Sequence, residues 1–170
     1  MGNPALKRSE AMETQPEAIS IELSLDLLSL DGRVKAAAEL WQAWADEEDR
    51  DADCEAFARH MLNRALDGSG TVLVAFTEMG RAVGMISLGW DYDPAKSRRR
   101  CIAERLYVVE DYRDRSVWRA LADGARAYAW LVAADEYVVS CRADSHLRRR
   151  YEQEGFRVTD YILKKSVNDV

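Results

Sequence analysis

The stretch that most constrains the fold is Leu106–Leu121, which has the pattern of a strand, an arginine-rich turn and a helix in direct succession. Leu106, Val108 and Val109 form an apolar strand end, and from Val117 the apolar residues recur at helical spacing. A strand that leads directly into a helix leaves the first amides of that helix unpaired and directed at the turn. These amides, together with the positive end of the helix dipole, predict a binding site for an anion.

Basic side chains around the turn strengthen this prediction. Arg113, Arg115 and Arg119 all lie in the turn or in the first residues of the helix. Their positive charges add to the partial charge of the helix start, so a phosphate group is the ligand that we predict for this site.

Length and composition predict one globular domain. The 170 residues are enough for a substantial core. Residues 1–18 contain two prolines, several charges and little apolar periodicity, which is typical of a mobile tail, so we assign the domain to residues 19–170. No apolar run approaches the ~20 residues that cross a bilayer, and the N-terminus lacks the apolar centre of a secretory signal.

Charge and cysteine content indicate the compartment and exclude some partners. The net charge of −6 argues against attraction to nucleic acid or to an anionic membrane surface. Cys54, Cys101 and Cys141 are odd in number and lack the spacing of metal ligands, which predicts a reducing, cytoplasmic setting and no metal site. The basic runs Arg98–Arg100 and Arg148–Arg150 are typical of solvated surfaces.

Apolar periodicity predicts an α/β fold. A first strand over residues 19–25 is predicted to stop before Asp31-Gly32, and an amphipathic helix containing Val34, Trp41 and Trp44 follows. The polar segment Asp91–Arg100 is predicted to be a loop. The remaining elements are predicted, in the order helix, three strands, helix, strand, helix and strand, at Asp53–Leu66, Thr71–Thr77, Ala82–Trp90, Cys101–Val109, Val117–Ala134, Tyr137–Cys141, Ser145–Glu154 and Phe156–Lys165. This order predicts a mixed central sheet flanked by helices.

Two segments of the chain resemble the GCN5-related N-acetyltransferases, the GNAT family. In that family, a strand ending in Leu-x-Val leads to a loop of the form Arg/Gln-x-x-Gly-x-Gly/Ala. Here the strand ends in Leu106-Tyr107-Val108 and the loop is Arg113–Trp118, with Ser116 and Trp118 at the two glycine positions. The second segment, Tyr151–Phe156, is similar to the family's Tyr-x-x-x-Gly-Phe, and Asp144 stands where an Asn is common.

The resemblance implies that acetyl-coenzyme A, or another acyl-coenzyme A, is the acyl donor. The backbone of the strand end would pair with the pantetheine arm, and amides of the loop, with the side chains of Arg113 and Arg115, would hold the pyrophosphate. The residues implied in cofactor binding are Leu106, Tyr107, Val108, Arg113, Arg115, Ser116, Val117, Trp118, Arg119 and Asp144.

The resemblance also implies two catalytic residues. Glu104 stands two residues before Leu106, where many family members place an acidic residue, and a carboxylate there would remove the proton from the amine directly or through a water. Strand alternation places Glu104 on the same face as Leu106 and Val108. Tyr151 would protonate the departing coenzyme A thiolate, because a phenol is protonated at neutral pH.

Both residues have a structural interpretation as well. Glu104 would form an ion pair with Arg105 or with a cross-strand partner, and Tyr151 would pack its ring under the sheet while Gly155 caps the helix. Four aromatic residues likewise line either an acceptor pocket or the core: Trp41, Trp44, Trp90 and Tyr92.

The resemblance implies an enzyme that moves an acetyl or other acyl group from acyl-coenzyme A directly to a primary amine. The acceptor is a small molecule or a protein, and the sequence leaves homodimerisation open. The replaced glycines support a second interpretation, in which the chain keeps the fold, has impaired turnover and modulates a protein partner. Ser116 is a small replacement, whereas the indole of Trp118 either fills the space of the pyrophosphate or packs on the sheet or an adenine ring.

Overall fold

The computed structural model describes residues 19–22, 27–113, 117–140 and 146–158. The chain divides into two compact units, Met1–Val138 and Val139–Val170, and each is described by itself. The predicted N-terminal tail lies outside the described residues. Of the predicted last strand, residues 156–158 are described and have no regular structure, and the rest lies outside.

The chain forms the predicted α/β fold, with a sheet of five strands in the order β1-β2-β3-β4-β5 and flanking helices. Between β4 and α3 lies a short 3-10 helix, Glu110–Tyr112. The other elements are, in chain order, β1 Ile19–Glu22, α1 Leu27–Glu47, α2 Cys54–Leu66, β2 Gly70–Thr77, β3 Ala82–Asp93, β4 Arg98–Val108, α3 Val117–Leu131, β5 Glu136–Val139 and α4 His146–Gln153.

The first four strands pair antiparallel, each with its neighbour in the chain. Strand β5 lies next to β4 and is reached through α3, a helical crossover of the kind that joins parallel neighbours. Its start is fixed beside the start of β4, because the Asp135 amide donates to the Arg99 carbonyl at 2.8 Å and Arg98 forms an ion pair with Glu136 at 2.6 Å.

Helix α1 begins earlier than the sequence indicated. The prediction that Asp31-Gly32 breaks the chain before the helix was wrong, because both residues lie inside α1. The helix is selected by its apolar face, on which Leu30, Val34 and Ala37 recur at helical spacing and are buried. Burial of that face outweighs the weak helix propensity of one glycine.

The prediction that Asp91–Arg100 is a loop was also wrong. Strands β3 and β4 extend through most of it, and Asp91 pairs directly with Arg100 across the hairpin. The Arg100 guanidinium donates to both Asp91 carboxylate oxygens, at 2.9 and 2.8 Å, and approaches Asp93 at 3.6 Å. Cross-strand pairs of opposite charge stabilise a sheet, so polar residues continue the hairpin outside the core.

Helix α3 follows its predicted stripe but ends sooner than predicted. Val117, Leu121 and Tyr128 are buried, as their spacing indicated. The helix ends at Leu131, because Ala133 takes a left-handed conformation (φ 53°) and the Ala134 amide donates back to the Ala129 carbonyl at 2.9 Å. The strand predicted as buried at Tyr137–Cys141 is Glu136–Val139, and all four of its residues are half-buried.

The two faces of the sheet are covered by different helices. On one face Met85 and Tyr107 belong to a core cluster with the buried side chains of α1 and α2. Successive strand residues point to opposite faces, so Gly84 faces the other side. There a Cβ at Gly84 would come within 3.0 Å of Val117 and 3.1 Å of Leu121, which shows how closely α3 packs on β3.

We expect opposite effects when two glycines of this fold are replaced by alanine. Gly84→Ala should lower the free energy of unfolding by about 1–3 kcal/mol, because its methyl group overpacks the contact with α3. Gly32→Ala meets nothing within 4 Å inside α1 and should raise it by up to ~1 kcal/mol through helix propensity. Urea unfolding of both variants measures the difference, and equal effects would contradict the close packing at Gly84.

Candidate functional site

Strand β4 contains a β-bulge at Glu104. Across the β3–β4 pair, Ser87 is opposite Arg105 and Leu88 is opposite Ala103, so Glu104 is the extra residue. A bulge disturbs the alternation of faces and re-aims the side chain at that position. Bulges occur frequently beside functional sites, which makes this position a candidate.

The bulge corrects the predicted orientation of Glu104. Its carboxylate bonds to Arg64 of α2, and the next residue, Arg105, lies over the indole rings of Trp41 and Trp44 on α1. Glu104 therefore lies on the face that α1 and α2 cover. Tyr107 is on this face too, so Leu106 and Val108 point to the opposite face, contrary to the prediction that they share a face with Glu104.

Arg64 holds the Glu104 carboxylate from above the sheet. Its Nη1 donates to both carboxylate oxygens, at 2.6 and 2.7 Å, and its Nη2 donates to the Ser69 carbonyl at 3.1 Å. The Arg64 side chain is only 16% exposed and that of Glu104 37%. Glu104 thus forms an ion pair, but the predicted partner was wrong, because Arg64 of α2 takes the place of Arg105 or a cross-strand residue.

Two glycines make room for Arg64. Gly70 of β2 and Gly89 of β3 are directly opposite each other, and the guanidinium packs on the surface they leave. A Cβ at Gly89 would lie 1.7 Å from Arg64 Nη2, and one at Gly70 would lie 2.8 Å from Arg64 Nε. Sequence reasoning missed Arg64, for which the sequence offered two glycines as a signal, Gly70 just before one predicted strand and Gly89 within the next.

The second half of β4 presents backbone groups away from β3. The Val109 amide donates to the Val83 carbonyl at 3.0 Å, which makes Tyr107 and Met85 a hydrogen-bonded pair and leaves Leu106 and Val108 in non-hydrogen-bonded pairs. The amides and carbonyls of Leu106 and Val108 therefore point toward the β5 side. The antiparallel register directs the Tyr107 backbone to β3 instead.

Strand β5 covers only part of this edge. It has four residues, whereas β4 has eleven, and its start lies beside Arg98 and Arg99. Four strand residues span about 13 Å. Within the described part of the chain, β4 therefore continues past β5 toward the start of α3, with the outward backbone groups of Leu106 and Val108 along its edge.

The turn after β4 is described up to Arg113 and again from Val117. Val117 begins α3 and is fully buried, and the Arg119 guanidinium lies 5.4 Å from the Trp118 ring centre. Trp118 itself is half-buried. The predicted site residues Arg115, Ser116 and Asp144 lie outside the described residues, and the roles proposed for them stay predictions.

Arg113 bonds to the end of α1. Its Nε donates to the Val108 carbonyl at 2.9 Å, and its Nη2 donates to one carboxylate oxygen of Glu47. The other Glu47 oxygen accepts from the Tyr107 hydroxyl at 2.6 Å. We call these three residues the Glu47 network. Sequence reasoning missed Glu47, because its partners lie 60 and 66 residues away in the chain.

Tyr107 and Arg113 stabilise the ionised carboxylate of Glu47. Burial alone would raise the pKa of Glu47, but the hydrogen bonds from Tyr107 and Arg113 and the charge of Arg113 bring that pKa below its usual value. Burial, with the hydrogen bond to Glu47, raises the pKa of Tyr107, which stays a donor at neutral pH. Since the Glu47 pKa is lowered by folding, this stabilisation is present above the unfolded carboxyl pKa and is lost as the pH falls through the lowered value.

An open groove lies on the same face of the sheet, beside the Glu47 network. It has a volume of about 750 Å³ and is bounded by α1, the β2–β3 turn, the end of β4 and the 3-10 helix. Its charged lining consists of one arginine and five carboxylates, namely Arg81, Glu39, Asp46, Glu47, Glu110 and Asp111. The negative excess favours cationic ligands.

The predicted acid Tyr151 belongs to the second unit, on α4. It is 8% exposed, and its ring packs edge-on against Phe156 at 5.2 Å between centres. Gly155 has φ 89°, and the Phe156 amide donates to the Tyr151 carbonyl at 3.0 Å, so this segment caps the helix as its structural interpretation predicted. The catalytic role of Tyr151 stays a prediction.

The aromatic residues divide into two groups. Trp41 stacks on Phe57 at 4.7 Å and tilts against Trp44 at 4.7 Å, which forms an aromatic cluster beside Arg105 on the α1–α2 face. Trp90 donates from Nε1 to the Gly68 carbonyl, and the Arg99 guanidinium lies over the Trp90 ring, 5.1 Å from its centre. The first group thus lies beside the residue that follows Glu104, and the second links β3 to the turn before β2 and to Arg99 of β4.

Strand β4 also contains a free thiol, that of Cys101. Cys101 is fully buried, and burial raises its pKa to about 11, which disfavours the nucleophilic thiolate at neutral pH. Among the residues that the structure describes, no cluster of three or more histidine, cysteine or carboxylate side chains is arranged to hold a metal ion. No described helix combines the length and apolarity required to cross a membrane.

The sequence of the chain is similar to that of one known protein family. Residues 35–156, more than half of the chain, match the sequence model of the acetyltransferase (GNAT) family. None of the curated proteins matches the chain in sequence.

Solved structures resemble the fold closely at low identity. Ribosomal-protein-alanine N-acetyltransferase from Brucella melitensis biovar Abortus 2308 has a TM-score of 0.66 at 22% identity, over 88% of this chain and 100% of that chain. Glucosamine-6-phosphate N-acetyltransferase from Arabidopsis thaliana has a TM-score of 0.67 at 15% identity, over 89% and 99%. A predicted acetyltransferase from Clostridium acetobutylicum, solved with acetyl-CoA, has a TM-score of 0.71 at 14% identity, over 90% and 99%.

We expect Gly89→Ala to lower the free energy of unfolding by about 1–3 kcal/mol, because its methyl group displaces the Arg64 guanidinium. In an Arg64→Ala background the same change should cost less, with a coupling of about 0.5–3 kcal/mol. Gly70→Ala is the matched control. Its Cβ would also lie 2.5 Å from the Leu88 carbonyl oxygen, so it should stay costly without Arg64. Urea unfolding of the six proteins measures both cycles, and purely additive effects at Gly89 would contradict the packing.

Proposed function

The chain belongs to the GNAT family of acetyltransferases, and from this premise we propose that it transfers an acetyl group from acetyl-coenzyme A directly to a primary amine. The observation that carries the proposal is the second half of β4. There, the outward backbone groups of Leu106 and Val108 lie between the bulge at Glu104 and the turn that leads to α3.

The donor side of this arrangement fits coenzyme A. The outward amide and carbonyl of Leu106 and the outward amide of Val108 suit the amide groups of the pantetheine arm, which pair with a strand edge as a peptide does. The Val108 carbonyl already accepts from Arg113. The first amides of α3 begin directly beyond these backbone groups and favour a pyrophosphate. We therefore assign the pantetheine contacts to Leu106 and Val108, and the phosphate contacts to the amides around Val117 and Trp118, with Arg119 and the predicted Arg115 as basic neighbours.

The acceptor side lies on the face of α1 and α2. Glu104 is held there by Arg64 with its carboxylate partly exposed, and the next residue, Arg105, lies over the rings of Trp41 and Trp44 on the same face. The acidic groove on this face attracts a protonated amine by its field. A small-molecule amine and an amine of a protein both satisfy this chemistry.

The proposed reaction is a single displacement. Glu104 accepts a proton from the ammonium, directly or through a water, and the neutral nitrogen attacks the thioester carbonyl carbon. The new C–N bond forms as the C–S bond breaks, the coenzyme A thiolate leaves, and the acylated nitrogen releases its remaining extra proton to solvent, which also restores the proton that the acid gives to the thiolate. We propose that the Tyr151 hydroxyl supplies its proton, because a phenol is a competent acid at neutral pH.

Calorimetric titration with acetyl-coenzyme A and with coenzyme A tests the donor site. We expect binding with a Kd in the micromolar range, typical of substrates of this size. Acetylation of a panel of amines, followed by release of free thiol, then tests turnover. If neither compound gives heat or thermal stabilisation at millimolar concentration, the proposal fails, and the alternative of a protein that binds a partner without turnover gains support.

Replacement of the proposed base gives a second prediction. Glu104→Gln should lower kcat by about 10²-fold or more while the Kd for acetyl-coenzyme A stays unchanged, because the amide cannot accept the proton. Glu78→Gln, which removes an exposed carboxylate in the β2–β3 turn, is the matched control. An unchanged kcat and pH–rate profile in Glu104→Gln would remove Glu104 from the mechanism, and Tyr151→Phe in the same assay tests the acid.

A further inference from the structure

We propose that Glu47 is a positioning residue for the donor site, which fixes the start of the pyrophosphate loop by holding Arg113 against the end of α1. This inference rests on the proposed function, because it concerns the loop that receives acetyl-coenzyme A. The inference gives a residue of α1 a role on the donor side of the site.

The geometry places Glu47 between three elements. It is the last residue of α1, and its two carboxylate oxygens are divided between a strand and a turn. One oxygen accepts from the Tyr107 hydroxyl of β4 at 2.6 Å, and the other accepts from Arg113 Nη2. Tyr107 is 6% exposed and belongs to the core cluster, so the carboxylate is anchored to the rigid part of the sheet.

Arg113 is the member of the Glu47 network that is also the first residue of the loop. Its amide donates to the Glu110 carbonyl at 3.1 Å, and its Nε donates to the Val108 carbonyl at 2.9 Å. Its guanidinium is also 5.9 Å from the Tyr107 ring centre. Backbone and side chain of Arg113 are thus both fixed, only four residues before the start of α3 at Val117.

This arrangement changes the predicted role of Arg113. The sequence assigned its side chain to the pyrophosphate, but here the guanidinium faces α1 and is neutralised by the Glu47 carboxylate. The first residue of the loop is therefore held in place before a ligand arrives. Fixing that residue in advance saves part of the entropy of ordering on binding, which raises the affinity for the ligand.

The test compares two acyl donors that differ only at the nucleotide end. Glu47→Gln keeps the size of the side chain but weakens its bond to Arg113. We expect the Kd for acetyl-coenzyme A to rise about threefold to fivefold, because both side chains of this ion pair are more than a third exposed and such pairs are weak. Turnover with S-acetylpantetheine, which lacks the nucleotide and its diphosphate, should stay within twofold of the wild type.

Two further variants complete the design. Glu48→Gln removes a neighbouring exposed carboxylate and should leave both donors unaffected. Glu47→Gln combined with Arg113→Gln should bind acetyl-coenzyme A no more weakly than Arg113→Gln alone, because both changes break the same bond.

Three results would overturn the inference: an unchanged Kd for acetyl-coenzyme A in Glu47→Gln, an equal loss with both donors, or additive losses in the double variant. An equal loss would show that Glu47 supports the fold only, and the thermal midpoint of each variant records that effect directly. If the wild-type protein binds no acetyl-coenzyme A, the proposed function itself fails, so the two failures are distinguishable.

Discussion

The register of β4 against β3 is the constraint on which the rest of the site depends. It consists of ten paired positions with one irregularity, and that irregularity places Glu104 outside the alternation. The same register decides that the backbone of Leu106 and Val108 faces away from β3, while that of Tyr107 faces toward it. A shift by one residue would exchange these groups and turn the Tyr107 hydroxyl away from Glu47.

Two clusters of charge are built on this register, and both lie on the face that α1 and α2 cover. Arg64 is nearly buried, and an unpaired guanidinium in that position would be strongly unfavourable. Its pairing with Glu104 is therefore a condition for packing α2 on the sheet as well as a way to orient the carboxylate. The Glu47 network is more exposed, so its contribution to stability is modest, and its effect is mainly to fix geometry.

The sequence predicted those features that depend on local pattern. The stripe of Val117, Leu121 and Tyr128, the hairpin around Gly80 and the strand that leads to the arginine turn were all readable, because burial imposes a period on the chain. It failed at Asp31-Gly32 and at Asp91–Arg100, where packing or cross-strand charge pairs outweigh local propensity. The roles of Arg64 and Glu47 could not be predicted from the sequence, because their partners lie 40 and 66 residues away, at Glu104 and Arg113.

The order of the strands in the sheet, which is the same as their order in the chain, has a kinetic consequence. The β2–β3 and β3–β4 pairs each close a short turn, and the entropic cost of closing a loop grows with its length. Contacts between sequence neighbours form fast, so these hairpins are expected to assemble early, with the bulge already in place. The β4–β5 pair must wait for the whole of α3 to fold between them. The outer edge of β4 thus gains its neighbour later in folding than the edges that the two hairpins close.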